Sequence, residues 1–298
     1  MRRTFLYPPD PAFYTKTVEE VLLSHGYSRH LIIDLKKCPE GLTIQGTHVY
    51  VTHRMAPGEA LQVILPEEVS SEKLLPTRME LDIVYEDADL MVINKAAGVP
   101  IHPSQGNFSN SLANGIAWYF SEKGEPFTYR VINRLDRDTT GLLILAKHAL
   151  SACILSEMIR TRTIHRTYLA AVQGNLKSHS DSGTIQAPIA RVDGSTIERQ
   201  VDFLRGETAT THYRVLSYQP ALDASLVELT LDTGRTHQIR VHMRYLGFPL
   251  FGDFLYHPDY RYIGRQSLHS WKLAFDHPIT KEPLTFTAAV PDDMKLFL

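Results

Sequence analysis

The chain has 298 residues, room for one large domain or two smaller ones, and an apolar fraction of 43% is ample for a core. A net charge of −2 excludes a strongly basic nucleic-acid binder, so any contact with a polyanion must come from local patches. Cys38 and Cys153 are too few and too far apart for a disulfide framework or a zinc site, no apolar run approaches a bilayer span, and residues 1–9 lack a signal-peptide core, so a cytoplasmic protein with no membrane segment is expected.

Residues 1–14, rich in proline and aromatics, read as an extended arm. Thr17 followed by Glu20 is a capping-box pattern, and Val18, Val21 and Leu22 share one face of the helix it opens; Gly26 ends that helix. Residues 28–37 read as a second short helix, and residues 41–44, 49–51 and 60–65 as strands, with a turn at Pro57-Gly58. Together they form a small α/β module over residues 1–66. Residues 67–80, with Glu67, Glu68, Ser70, Ser71, Glu72, Lys73 and Pro76, have the composition of a linker. A second domain, residues 81–298, begins with a strand, an acidic turn and a strand ending at Lys95; Leu112, Ile116 and Tyr119 then have helical spacing.

Residues 129–148 place Asn133-Arg134-Leu135-Asp136-Arg137-Asp138-Thr139-Thr140-Gly141 between two apolar runs. This is a charged loop feeding a buried strand. Two arginines and two aspartates held against a core are costly unless paired or exposed in a cleft. Taken alone, the loop reads first as a solvated turn with local ion pairs, and only the stretches further along the chain reverse that order. Residues 149–159 form a helix, 168–172 a strand, 174–207 a polar, turn-rich region, and 210–218 with 225–231 a hairpin. In the last informative stretch, Gly234 permits a tight turn, Thr236 can cap a helix and Gly247 sits where a C′ glycine belongs. His237, Arg240 and Arg244 make a basic stripe beside a face of Ile239, His242 and Leu246; the plain reading is a solvated surface helix. His237 and His242 are five apart, not the four a metal helix uses, so no metal site is expected. From Arg130 to Arg166 there are seven Lys or Arg against three Asp or Glu, a local excess of four positive charges. That is an electrostatic footprint for a polyanion, with Arg134, Arg160, Arg162, Arg166 and Arg235 as the candidate contacts.

The central loop resembles the signature of the RluA-type pseudouridine synthases, which reads His-Arg-Leu-Asp-x-x-Thr-Ser-Gly. Further stretches resemble the same family in the same order. They are residues 85–98 with His102-Pro103-Ser104, Arg166-Thr167-Tyr168-Leu169-Ala170, residues 234–242, and Gly252-Asp253 to Tyr256 with Leu268-His269 and His277-Pro278. The resemblance covers residues 81–298, and the first 66 residues resemble the S-four-like RNA-binding module more weakly. It implies an α+β fold: a catalytic domain around a mixed, largely antiparallel sheet with flanking helices. It implies conversion of uridine to pseudouridine in ribosomal RNA or tRNA by a monomer that needs no metal or cofactor. Residue by residue, it implies that Asp136 is the catalytic aspartate, Tyr168 stacks on the target base, Arg240 pairs with the aspartate, and Arg134 fills the gap left by the extruded base. Flipping the base and stacking it on an aromatic is what isomerisation of a nucleotide inside RNA demands. Asn133 departs from the family's His, and Thr140 from its Ser.

Two other readings compete. Asp136-Arg137-Asp138-Thr139-Thr140 matches the Asp-x-Asp-x-Thr nucleophile loop of haloacid-dehalogenase-type phosphatases, which follows an apolar parallel strand. A non-catalytic RNA-binding paralogue would keep the basic segments without turnover.

Overall fold

The computed structural model describes residues 3–72 and 74–298; Met1 and Arg2 of the expected arm and Lys73 of the expected linker lie outside the described residues. The arm is not free. β1 (Thr4–Tyr7) pairs along a later strand, and Pro11–Phe13 closes a single 3-10 turn. Thr17 then opens α1 (Val18–Ser24): its Oγ1 accepts from Glu20 N at 3.2 Å, and Glu20 Oε2 accepts from Thr17 N at 2.7 Å. Ser28 caps α2 (Arg29–Lys37) singly, its Oγ accepting from Leu31 N at 3.2 Å. The strands β2 (Leu42–Ile44), β3 (Thr47–His48) and β4 (Leu61–Ile64) complete a sheet in the order β1-β4-β2-β3. The strand expected at 49–51 is thus displaced to 47–48, because Gln45 and Gly46 make a tight turn with positive φ that brings the chain straight back. Val18, Val21, Leu22, Leu31 and Leu35 bury against Leu42, Leu61 and Val63, each contributing about 1.5–3 kcal/mol.

Residues 66–80 carry no helix or strand among those described, yet they are fastened to the second sheet's layer. Glu68 accepts from Arg130 Nη1 at 2.7 Å, Ser70 Oγ from Phe127 N at 3.1 Å, and Leu75 O from Asn114 Nδ2 at 2.7 Å.

The main body starts with the antiparallel pair β5 (Asp82–Glu86) and β6 (Leu90–Lys95), followed by α3 (Leu112–Glu122). Next come β7 (Thr140–Ala146), α4 (Ala149–Arg160), β8 (His165–Gln173) and the single-turn α5 (Leu176–His179). The polar region 174–207, read from sequence as turns, also holds three short strands: β9 (Ser182–Gln186), β10 (Ile189–Arg191) and β11 (Arg199–Val201). Backbone pairing, not side-chain pattern, makes them strands. Then follow β12 (Thr210–Gln219), β13 (Ala224–Leu231), α6 (Gln238–Tyr245), β14 (Leu268–Asp276) and β15 (Pro283–Thr287).

Among the described residues nine strands form one sheet in the order β5-β6-β7-β14-β8-β13-β12-β9, with β15 on the far half of β14. Every ladder is antiparallel except β7 with β14, so the sheet is mixed and largely antiparallel, as the α+β reading required. Tyr168 of β8 stands opposite Ser270 of β14, and Ser270 stands opposite Gly141 of β7. At about 4.8 Å per strand, this register sets Tyr168 about 10 Å from the end of the charged loop. Gly141 has φ 106°, and a Cβ there would lie 2.2 Å from Ser270 O, so only glycine permits the approach.

Candidate active site

Residues 133–139 are pinned from beneath. Leu135 is buried in the core, while Arg134 on one side is exposed and Asp136 on the other is partly exposed. Asn133 is buried, and its Oδ1 accepts from Ile144 N at 2.9 Å, so the side chain that departs from the family pattern ties the loop to β7. Two buried cations grip the far end. Lys95 Nζ donates to Arg137 O and to Ala96 O, each at 2.7 Å, and Arg265 Nη1 donates to Asp138 O at 3.2 Å. Arg265 is itself anchored by two bonds to Asp293, at 2.7 and 2.8 Å. Burial pushes the Lys95 ammonium down to about 7, against the pull of Asp138 and Asp136. Nothing in the sequence pattern marked Lys95, Arg265 or Asp293 as supports of this loop.

The loop delivers Asp136 to the guanidinium of Arg240. Arg240 Nη1 donates to Asp136 Oδ2 at 2.9 Å, across 104 residues of sequence. The helix expected to carry a solvated basic stripe instead buries this residue, which is 2% exposed. Its other edge makes a two-pronged pair with Asp253, 2.7 Å from Nε and 2.7 Å from Nη2. Tyr256 and Phe254 flank the guanidinium, their ring centres 5.0 and 5.5 Å away. Burial alone would lower the Arg240 pKa, but Asp253 and Asp136 outweigh it and the net shift is upward. Arg240 is therefore a permanent cation with one face committed to structure and one turned to Asp136.

Thr236 does not cap α6. The helix begins at Gln238 with His237 at its N-cap and no side-chain cap; Gln238 Oε1 instead accepts from Arg235 N at 3.0 Å and from Thr233 Oγ1 at 2.8 Å in the turn before it. His237 is left in the left-handed region at φ 58°, a conformation that survives only where its surroundings hold it. Its Nδ1 lies 2.9 Å from Tyr256 Oη, and its Nε2 lies 3.9 Å from Asp136 Oδ2. Burial holds the imidazole below its ordinary pKa, with Asp136 opposing. Gly247, with φ 90°, follows the helix as a C′ glycine should.

Asp136, Tyr168 and Arg240 line one cleft of about 890 Å³, and so do Arg134, Arg160, Arg162, Arg166 and Arg235. Tyr168 is almost wholly buried, which raises its pKa, with Arg166 and Asp136 acting in opposite senses, so it stays a neutral phenol. The arginines differ in freedom. Arg160 is tied to Glu157, Arg162 stands 3.6 Å from Asp232, and Arg235 is paired with Glu207. Arg134 has no hydrogen-bond or ion-pair partner among the described residues, and Arg166 Nε is buried without one. The cleft thus offers a carboxylate on a fixed cation, an aromatic wall, and free guanidinium groups, a set suited to a polyanionic substrate carrying a flat ring.

A phosphatase loop is not what the fold builds. No parallel strand leads into Asp136, and Asp138 turns away to Arg137 at 2.8 Å. Asp87, Asp89 and His277 could together hold a metal ion, but Asp89 already holds Arg3 and His148, and Asp87 holds Tyr85 and His277. Asp253 and Tyr256 were within reach of sequence reasoning, since they lie in the closing motif, but their pairing to Arg240 and His237 was not.

A family model described as RNA pseudouridylate synthase matches residues 89–245. The Bacillus subtilis protein described as uncharacterized RNA pseudouridine synthase YjbO is 44% identical over 278 residues, covering 93% of this chain and 96% of that one. The ribosomal large subunit pseudouridine synthase D of Zymomonas mobilis is 37% identical over 253 residues, covering 79% of this chain and 76% of that one. Among solved structures, human RNA pseudouridylate synthase domain containing 1 superposes with a TM-score of 0.58 at 27% identity, covering 70% of this chain and 83% of that one.

Proposed function

This chain belongs to the RNA pseudouridylate synthase family and is an RNA pseudouridine synthase, an isomerase, and from that premise we propose that its reaction centre is Asp136, held by Arg240 and facing Tyr168. The observation that carries this reading is the division of Arg240: Asp253 takes its buried edge and leaves Nη1 for Asp136 at the cleft. The reaction breaks the bond from C1′ to N1 of uridine, turns the base, and joins C1′ to C5; the hydrogen on C5 leaves and N1 gains one. A carboxylate fixed against a cation serves either attack on C1′ or removal of the 2′ hydrogen. Tyr168 stacks on the extruded base, and Arg134, the free guanidinium on the loop, enters the gap it leaves. Arg160, Arg162, Arg166 and Arg235 contact phosphates along the strand.

The substrate is ribosomal RNA, a choice supported by relatives such as the Zymomonas mobilis enzyme, whose own name gives the large ribosomal subunit. The exposed Arg29, Lys36 and Lys37 of α2 support a second RNA contact on the N-terminal module. No helix among the described residues is long and apolar enough to cross a membrane. The protein acts as a monomer in the cytoplasm. Mapping pseudouridines in total RNA with and without this protein tests the assignment. One or a few ribosomal positions should disappear without it; an unchanged map would remove the proposed substrate.

A further inference from the structure

Beside the catalytic cleft lies a smaller cavity of about 350 Å³ with five arginines in its walls, Arg134, Arg191, Arg199, Arg205 and Arg235, and Glu207 as the acid among them. Arg134, Gly234, Arg235 and Thr236 line both cavities, so the two share a wall. Two of the five guanidinium groups are neutralised. Arg235 is paired with Glu207, and Arg205 stands 3.0 Å from Asp193 and 3.0 Å from Asp202. The other three have no carboxylate partner among the described residues. Arg199 Nη1 donates to the backbone carbonyls of Ile197 and Glu198, at 3.1 and 3.0 Å, and Arg134 and Arg191 have no hydrogen-bond or ion-pair partner. Three uncompensated cations around so small a space repel one another until an anion enters.

The arginines are held in fixed relation to the reaction centre. Arg191 and Arg199 face each other across the β10–β11 ladder, and Ile189 of β10 packs with Val241 of α6 and with Tyr256. Arg199 N donates to Tyr256 Oη at 2.9 Å, the same hydroxyl that holds His237 beside Asp136. On the next turn, Asp202 Oδ1 accepts from Leu204 N and Arg205 N, at 2.9 and 3.0 Å, and this turn leaves Phe203 66% exposed. Guanidinium groups with an exposed aromatic ring on the turn that follows β11 match a single strand of nucleic acid, the guanidinium groups taking the backbone and the ring a base.

We propose that this arginine cavity binds the phosphodiester backbone next to the target uridine, with Phe203 as the platform for an unpaired neighbouring base. The proposal rests on the RNA pseudouridine synthase reading and deepens it: it places part of the substrate strand on the β10–β11 hairpin, outside the catalytic cleft.

The test uses an RNA fragment carrying the mapped uridine, labelled with tritium on C5, and reads binding and tritium release separately. Arg191 is exposed, so Arg191→Ala and Arg191→Gln should melt as the wild type does. Each should raise KM and Kd about tenfold, the worth of one charge-assisted hydrogen bond, with the loss in KM rather than kcat. The salt dependence of binding should flatten by about 0.7 in log–log slope for each phosphate lost. A neutral methylphosphonate linkage scanned past the uridine should weaken the wild type wherever a phosphate is held, and at one of those positions it should cost Arg191→Ala nothing further. Wild-type KM and salt slope in both variants, or a linkage effect that adds to Arg191→Ala at every position, would overturn the proposal. If the wild-type protein binds RNA but releases no tritium, the functional reading fails, while the binding arm still judges the cavity.

Discussion

Replacing Asp136 with asparagine removes a charge from the cleft and very little packing. The side chain is 27% exposed and makes one hydrogen bond to Arg240, which keeps both of its bonds to Asp253. The stability cost should be about 1 kcal/mol or less. Asp253→Asn is the informative contrast. There both partners are 1% exposed, the pair is two-pronged, and Asp253 Oδ1 also accepts from Leu255 N and Tyr256 N. Breaking a buried pair from one side costs about 3–5 kcal/mol. Activity should rank the other way. On the proposed assignment Asp136→Asn removes the reacting carboxylate and should lower kcat by about 10⁴-fold or more. Asp253→Asn misplaces Arg240 and should cost about 10²-fold in whatever protein remains folded. Urea denaturation followed by circular dichroism gives the first quantity, and tritium release from C5 of uridine in RNA the second. Near-wild-type release by Asp136→Asn would refute the catalytic assignment. So would a stability loss as large as that of Asp253→Asn, because Asp136 would then be a structural member of the ion cluster.

Asn133→Ala should cost about 1–2 kcal/mol by stranding the backbone N–H of Ile144, with RNA affinity at saturation of the fold unchanged; a selective loss of affinity would show that Asn133 faces RNA. Burial, aided by Arg265, holds His269 down to about 4, so the fold favours its neutral form. Stability from this group is therefore full above about pH 6.5 and is lost as pH falls toward 4, about 3 kcal/mol in all, and urea titrations should show that acid limb weakened in His269→Gln. Gly141→Ala should cost more than about 4 kcal/mol, since the methyl meets Ser270 O in backbone that cannot yield; a melt like the wild type's would contradict the register of β7 against β14.

Local rules written in the sequence were enough for the parts of this protein that fold on local contacts. The capping box at Thr17, the β5–β6 and β12–β13 hairpins, α3 and α4 follow from spacing and turn chemistry over a few residues. The order of the motifs was enough to name the family and to single out Asp136, Tyr168 and Arg240. Tertiary structure alone decided what surrounds them. β14, the strand between β7 and β8, carries Ser270 and His269 at buried positions, so it lacks the apolar run that marks a central strand. Ser270 Oγ donates to Leu142 O and His269 Nδ1 meets Thr140 Oγ1, partners 128 and 129 residues away. Arg240 looked like a member of a solvated stripe because helical spacing shows which residues share a face, not what covers that face; Asp253 and Tyr256, arriving from the next loop, cover it. Lys95 and Arg265, the latter anchored by Asp293, hold residues 137 and 138 of the loop through backbone carbonyls, which carry no side-chain signature. The sequence determined which chemical groups are present and in what order; long-range pairing of buried charges decided how they meet, because the cost of leaving such a charge alone is settled only when the whole sheet has formed.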